Sequence, residues 1–594
     1  MYGRLYWSSL THIRIKRDAL IGRLYGILMN NKLLLVSFNA RYTHSNPALY
    51  SLRTALADLP YETSIHEFTI QEDLYQILEV IMLEKPDVIG ISVYIWNTMV
   101  VKSLLPEIRK LLPNVKIVLG GPEVSYNANS WLMYHPEIDF IVCGAGETGL
   151  RFLAECNFIH DEKIITMPNP EFSSLPFPYR MDDKEFLRNK YVYYEASRGC
   201  PFHCSYCLSS RDDQPLEIRA LETVKDEIRK LWEFEPFIIK FIDRSFNVNR
   251  EFAREIWRFI LQESPDIMYH FEIHPLYLEE KDFEIFETVQ AGRFQFEIGI
   301  QSIHSSTIRE IGRTGEWTEI RPKLERLRQF TNIHQHYDAI VGLPGENLEM
   351  LGQTVSELLT LKPDHLQLGF LKVLPGTIME EKAEQYSMKY CSTPPYRILF
   401  NQWISFAEIQ ACENLEKILN SYINSGHFVS VIDEVMGLSS GKAYMHLSLL
   451  VEHIRKIGAD LYTKDWLKKA RILQSFYTTH FTERKEDFDQ LLLWDWAVFP
   501  SNLPYPDFLP VHLLQQAKEE MLPYLHDLSA GSRFWQMYSL SPKDIRRAHF
   551  FMADSAYVQD KVLNGEKYAL IFKQQGRVRA VTFNMRPAYH IPQN

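Results

Sequence analysis

Three cysteines fall within eight residues, Cys200-Pro-Phe-His-Cys204-Ser-Tyr-Cys207. A C-x3-C-x2-C loop aims three thiolates at one point, and thiolates are the usual protein ligands of iron–sulfur clusters. Three ligands on a cube of four irons leave one iron open to a small molecule, which points to a redox enzyme. Zinc is the competing reading, but it prefers four closed ligands, usually as two separated pairs. No second pair stands near the triplet, and His203, between two cysteines, would strain the loop as a fourth ligand. Seven cysteines in 594 residues, with no recognisable secretory signal, do not make a disulfide framework.

The cysteine loop follows Tyr191-Val-Tyr-Tyr-Glu-Ala-Ser, a β-branched and aromatic run that reads as a strand. Strand–helix units continue over 191–385, with further strands at Phe237–Ile242, Met268–Ile273, Phe294–Ile300, His336–Val341 and His365–Phe370. Six units are short of the ~250 residues of an eight-fold barrel, so a partial (β/α)6 TIM-type barrel is expected. Barrel chemistry sits at the carboxyl ends of strands. Those ends carry Asp243-Arg-Ser245, Glu272 with His274, Glu297 with Gln301, Gly342-Leu-Pro-Gly345-Glu346, and Lys372 with Pro375-Gly-Thr377. Each polar residue there could instead be an ordinary cap or turn former. His334 and His336 share a strand face and read as surface or core histidines.

Upstream, residues 29–160 alternate apolar strands with amphipathic helices, the pattern of a flavodoxin-like doubly wound domain. Ligands of such sheets bind beyond the carboxyl ends of the strands. Three ends are glycine-rich or polar: Gly90-Ile-Ser92-Val-Tyr94, Gly120-Gly121-Pro122-Glu123 and Cys143-Gly144-Ala-Gly146-Glu147. Glycine there admits a large ligand to the backbone, although simple βα turns would use it as well. Residues 161–190, with Pro168, Pro170, Pro176 and Pro178, read as a linker. Residues 386–594 read as a mainly helical, aromatic-rich domain ending in a hairpin, Tyr568–Phe572 and Val578–Phe583; Trp535 is among its aromatics. The basic stretch 1–28 reads as an extension, with initiation near Met29 as one explanation.

Apolar content of 46% supports sizeable cores, and a net charge of −11 argues against general nucleic-acid binding. No apolar run reaches the ~18 residues of a membrane span. A cytoplasmic protein is expected.

Together these features resemble the radical S-adenosylmethionine enzymes that carry a cobalamin-binding domain. The resemblance rests on the cysteine spacing with Tyr206 before the last cysteine, on the two glycine turns, and on the loop Asn39-Ala-Arg-Tyr-Thr-His-Ser45. It implies a 4Fe–4S cluster on Cys200, Cys204 and Cys207, with S-adenosylmethionine on the fourth iron as the source of a 5′-deoxyadenosyl radical. Asp243 and Ser245 take the position that meets the methionine amino group, Glu297 and Gln301 the carboxylate and ribose, and Gly342 the adenine. Cobalamin is implied along Ser92, Tyr94, Gly120, Gly121, Pro122, Glu123, Gly144, Gly146 and Glu147. The Asp-x-His-x-x-Gly sequence that supplies a histidine to cobalt is absent, since Tyr42 and Pro47 flank His44. Cobalt without a protein histidine, and a solvent-facing His44, follow. The C-terminal region resembles an uncharacterised accessory domain.

The resemblance implies methylation of an unactivated carbon of a small molecule or other substrate, with an electron donor such as flavodoxin or ferredoxin. Three alternatives stay open: a non-methylating cobalamin enzyme, a methylthiotransferase, and a cobalamin- or redox-sensing regulator. A methylthiotransferase carries three further N-terminal cysteines, whereas Cys143 and Cys156 are the only ones here.

Overall fold

The computed structural model describes residues 31–210, 215–500, 503–527, 542–574 and 577–583. The stretch 1–28, Trp535 and the tip of the final hairpin lie outside the described residues. Two compact units result, Met1–Glu346 with Gly369–Ser405, and Asn347–Leu368 with Phe406–Asn594. Among the described residues no helix is long and apolar enough to cross a membrane.

The first unit begins with a parallel sheet of β1 (Asn31–Asn39), β2 (Tyr61–Thr69), β3 (Val88–Ser92), β4 (Lys116–Gly120), β5 (Phe140–Cys143) and β6 (Ile164–Thr166). Their order is β2-β1-β3-β4-β5-β6, so the chain reverses direction across the sheet between β1 and β3. The strands are near-continuous apolar runs because both faces are covered: Leu34, Val36 and Phe38 enter one core, Leu33 and Leu35 the other. β6 lies inside the stretch read as a linker. Three residues just ahead of Pro168 are too few to show a strand period, and pairing with β5 at the sheet edge makes the strand.

The helix Pro47–Ala55 starts where the side chain of Asn46 accepts from the Ala48 amide at 3.1 Å, with proline at the first helical position. From it, Arg53 forms a two-pronged pair with Asp183 at 2.8 and 2.6 Å, both side chains about nine-tenths buried. Removing one partner strands a buried charge. Arg53→Ala should therefore cost about 3–5 kcal/mol in a denaturant melt, and a loss below about 1 kcal/mol would show the pair to be solvated.

The second sheet comprises β7 (Tyr191–Tyr194), β10 (Ile238–Phe241), β11 (Met268–Glu272), β12 (Phe294–Gln301), β13 (His334–Val341) and β14 (His365–Phe370), in that spatial order. The registers of the first five are parallel. The two-stranded ribbon β8 (Ser197–Arg198) and β9 (Glu217–Ile218) brackets the cysteine loop. One face of the sheet is aromatic, with Phe241, Tyr269, Phe271, Phe294 and Phe296 all buried. The opposite face carries Tyr193, Lys240, His270 and Gln295 in one row and Glu272, Glu297 and His336 in the next. Barrel interiors are normally filled by branched apolar side chains; this one is charged.

The second unit is largely helical, as expected, with helices Phe406–Ile418, Ala443–Lys456, Trp466–His480 and His512–Asp527. It also contains the seven-residue helix Val429–Val435 and Lys485–Ala497; the latter is buried on every side from Phe488 to Ala497, so no amphipathic period reveals it. The terminal strands form a three-stranded antiparallel sheet, because His549–Met552 joins the expected hairpin. Leu348–Thr360, in sequence a barrel helix, belongs to this unit and packs Gly352 so closely on Tyr444 that a Cβ would stand 2.7 Å from its ring.

Candidate functional site

The cysteine loop is held by backbone bonds on both sides. Ser205 N–H donates to the Ile311 carbonyl and the Met379 N–H donates to the Ser205 carbonyl, each at 2.8 Å. Within the loop, Cys207 N–H donates to the Cys204 carbonyl at 3.0 Å. Gly312, with φ +67°, backs onto the loop so tightly that a Cβ would lie 2.5 Å from the His203 carbonyl oxygen. Cys204 is buried, Cys200 and Cys207 half-buried. Burial pushes the Cys200 and Cys204 thiols up, and each is coupled to other cysteines of the triplet. Arg313 works against this at Cys204: one guanidinium nitrogen lies 3.8 Å from the sulfur and another donates to the Gly299 carbonyl. Tyr206 is hydrogen-bonded to Cys204.

Two contiguous hollows meet at this loop. A cavity of about 430 Å³ enters the first sheet between Gly90, Val118, Val142 and the helix Pro47–Ala55. A cleft of about 1090 Å³ continues from it and is lined both by Gly121 and Pro122 of the first sheet and by Tyr206 and Cys207 of the loop. Gly121, Gly144, Asn169, Ser209 and Arg244 line both. Ser92, Tyr94, Gly120, Gly146 and Glu147 line the cavity. A Cβ on Gly120 would meet nothing nearer than 3.8 Å, whereas one on Gly121, with φ +106°, would lie 2.5 Å from the Val93 carbonyl oxygen. Glu123 stands behind the wall: it is 3% exposed, accepts from the Tyr396 hydroxyl at 2.5 Å, and burial pushes its carboxyl up.

Glu147 is bound by Arg198 at 3.0 Å, and Arg198 also pairs with Glu195 at 2.8 Å, so the first sheet's last glycine turn is tied to the strand that opens the barrel. The loop after β1 makes a second tie, with Tyr191 N–H donating to the Thr43 carbonyl at 2.7 Å. His44 is half-buried rather than solvent-facing. Its Nδ1 lies 2.5 Å from the Tyr193 hydroxyl, and burial, then Lys240 and Arg41, lower its pKa.

In the barrel, Glu297 is bonded to His270 at 2.9 Å and is held down to about 2 by that bond. His336 lies 3.1 Å from Asp338. Glu272 is pushed up to about 7 by burial, then by Glu297 and Asp338, with Arg244 opposing. Gln301 is 9% exposed at a bulge in β12, with φ +71° and a buried Oε1 that accepts no hydrogen bond. Left-handed backbone at a non-glycine residue costs about 1–2 kcal/mol, and such strain clusters at functional sites. Ser245 is half-buried, its hydroxyl donating to the Arg244 carbonyl. Gly342, with φ +90°, lies under Ile398 and accepts from Asn401. None of these, nor Asp243, lines the two hollows.

Asp243 is 2% exposed and accepts from Ala196 N–H at 3.1 Å and the Ser197 hydroxyl at 2.5 Å, joining β10 to the start of the cysteine loop. Burial pushes it up to about 7. A carboxyl raised in the fold stabilises most below its unfolded value near 4, and that contribution is lost as pH rises through about 7. Asp243→Asn keeps an acceptor and cannot ionise. Denaturation should show it gaining about 2–3 kcal/mol on the parent between pH 5 and pH 8; a constant difference would contradict the shift.

Sequence reasoning passed over Arg198, Arg313, Asn169 and His270. Arg198 alone gave a signal, standing two residues before Cys200.

Comparison with known proteins agrees with this geometry. Residues 33–154 match the B12 binding domain family, 194–358 the radical SAM superfamily, and 384–572 a protein family of unknown function, DUF4080. The cobalamin-dependent radical SAM methyltransferase TokK of Streptomyces tokunonensis is 22% identical over 340 residues, 51% of this chain and 50% of that protein. The 2-(S-pantetheinyl)-carbapenam-3-carboxylate methyltransferase of Streptantibioticus cattleyicolor is 24% identical, over 46% and 45%. The chain thus spans about half the length of these two curated relatives. Among solved structures, the methyltransferase TsrM from Kitasatospora setae, with cobalamin and a [4Fe-4S] cluster bound, superposes with a TM-score of 0.54 at 18% identity, covering 71% of this chain and 99% of that one. OxsB, with aqua-cobalamin and S-adenosylmethionine bound, gives 0.55 at 15%, covering 87% and 84%. At these identities the likeness is one of fold.

Proposed function

We propose that this chain, which joins a B12 binding domain to a radical SAM domain and a DUF4080 domain, is a cobalamin-dependent radical S-adenosylmethionine enzyme that methylates an unactivated carbon. One observation carries the reading: the glycine turns of the first sheet and the cysteine loop line the same cleft. A large ligand on the sheet edge and a group on the cysteines therefore share one reaction space.

The donor set fits an iron–sulfur cluster. Three thiols with a guanidinium beside one of them suit thiolate ligation. Cys200, Cys204 and Cys207 would hold the cluster, and the open space at Gly120 would admit cobalamin. When bound, cluster and S-adenosylmethionine supply a carbon radical able to take hydrogen from an inert C–H bond, and cobalamin supplies the methyl group. The chain's own part is placement and exclusion. Arg313 steadies the Cys204 thiolate, the Ser205 and Gly312 contacts fix the loop, and the Glu147–Arg198 pair holds sheet edge and barrel together. Gln301, Glu297, Asp243, Ser245 and Gly342 are proposed to shape the S-adenosylmethionine side of the barrel.

A second reading, oxidation or cyclisation without methyl transfer, draws support from 36% identity over 122 residues to the anaerobic magnesium-protoporphyrin IX monomethyl ester cyclase of Synechocystis, 17% of this chain and 24% of that protein. Product mass separates the two. Anaerobic protein reduced with dithionite should release 5′-deoxyadenosine and hold about four irons per chain. About eight would mark a methylthiotransferase, and no cleavage a regulator. An electron donor of the flavodoxin or ferredoxin type is expected to replace dithionite in the cell.

A further inference from the structure

We infer that the molecule modified is an amphipathic anion, whose carboxylate or phosphate sits against Lys372 in the cleft beside the cysteine loop. This rests on the reading of that cleft as the reaction space.

The chain carries a net charge of −11, yet among the described residues the cleft is lined by two cationic side chains, Arg244 and Lys372, and by no aspartate or glutamate. A hollow of one sign with low-dielectric walls concentrates potential and favours a ligand of the opposite sign. Lys372 follows β14 and is exposed to the cleft; among the described residues no carboxylate pairs with it. Among the described residues Arg244 pairs with one carboxylate, Glu272, at 3.8 Å. Arg397, which bridges Lys372 across an antiparallel backbone pair, lays its guanidinium 3.7 Å from the centre of the Phe370 ring behind this wall. Glu123, behind this wall, is turned to Tyr396, and the acids Glu147, Glu195 and Glu217 line the adjoining cavity rather than the cleft. Beside these cations the cleft is apolar, with Phe370, Leu371, Leu374 and Ile340. An apolar body with one anionic end matches both parts. A lysine ammonium is a point charge with three donors, suited equally to carboxylate and phosphate oxygens.

Four probes of one chain length test this: octanoate, octyl phosphate, octylamine and octanol, titrated calorimetrically into the cluster- and cobalamin-loaded protein with saturating S-adenosylmethionine and no reductant. Octanoate or octyl phosphate should bind at least tenfold more tightly than octanol, with octylamine weakest, and the tighter of the two names the anion. Lys372→Gln should erase the preference and Lys372→Arg keep it. Octylamine binding as well as the anions, or Lys372→Gln leaving the order unchanged, would overturn the inference. So would a Lys372→Gln loss that falls equally on S-adenosylmethionine affinity, since the charge would then serve the cofactor. Iron and cobalamin content of the same preparation reads the underlying assignment separately. Protein that holds both but shows no anion preference refutes only the substrate class.

Discussion

Replacing Cys200, Cys204 and Cys207 together with alanine should strip the protein of iron and reduce cleavage of S-adenosylmethionine to less than about one-thousandth of the parent rate, a loss of more than about 4 kcal/mol of barrier lowering. The size follows from the donor set, because each thiol is a proposed cluster ligand and no other cysteine has ligand spacing; Cys143, Cys156, Cys391 and Cys412 are scattered. The fold should survive. The loop is fixed by backbone bonds from Ser205 to Ile311 and Met379, which alanine does not disturb, and Cys204 is the only buried thiol of the three. Far-ultraviolet circular dichroism should match the parent while bound iron falls to background. A triple variant that keeps parent iron would place the cluster elsewhere.

Gly120→Leu should lower cobalamin affinity by at least about a hundredfold, more than about 2.7 kcal/mol, and leave iron content and thermal unfolding unchanged. Gly120 ends β4 at the mouth of the cavity, and a side chain there would grow into space that holds no protein atom within 3.8 Å of the Cβ. Leucine therefore costs the fold little and the corrinoid much. The neighbouring glycine would be a poor probe: at Gly121 the positive φ and the Val93 carbonyl make any side chain a folding defect. Comparing iron and cobalamin retention in the two variants separates the sites, since the cysteine variant should keep cobalamin and the glycine variant should keep iron. Gly120→Leu with undiminished cobalamin would remove the corrinoid from this cavity.

Most of the architecture was legible because its causes are local. Buried parallel strands announce themselves as apolar runs, and Leu33–Val36 or Phe140–Val142 could be little else. β6 was not legible, being three residues before a proline, and neither was Lys485–Ala497, whose burial on all sides erases the helical period. The transfer of Leu348–Thr360 to the second unit is a tertiary outcome that a strand–helix rhythm cannot foretell. At the site the contrast is the same. Cysteine spacing and glycine turns are constraints written into a few adjacent residues, so they could be read. Arg313 reaches Cys204 across 109 positions and His270 reaches Glu297 across 27, and nothing near either residue marks the encounter. Glu123 shows the reverse, for its place in a glycine turn suggested a cavity wall, while Tyr396, 273 residues on, draws its carboxylate behind that wall.

Methyl transfer of the proposed kind requires the sheet edge and the cysteine loop to face one space. Electron paramagnetic resonance of protein loaded with cobalamin and cluster, poised so that both are paramagnetic, reads this directly. The cobalt signal should be broadened by the nearby cluster spin and should sharpen when the three cysteines are replaced. Two undisturbed signals in the parent, identical in width to the separately loaded states, would contradict it.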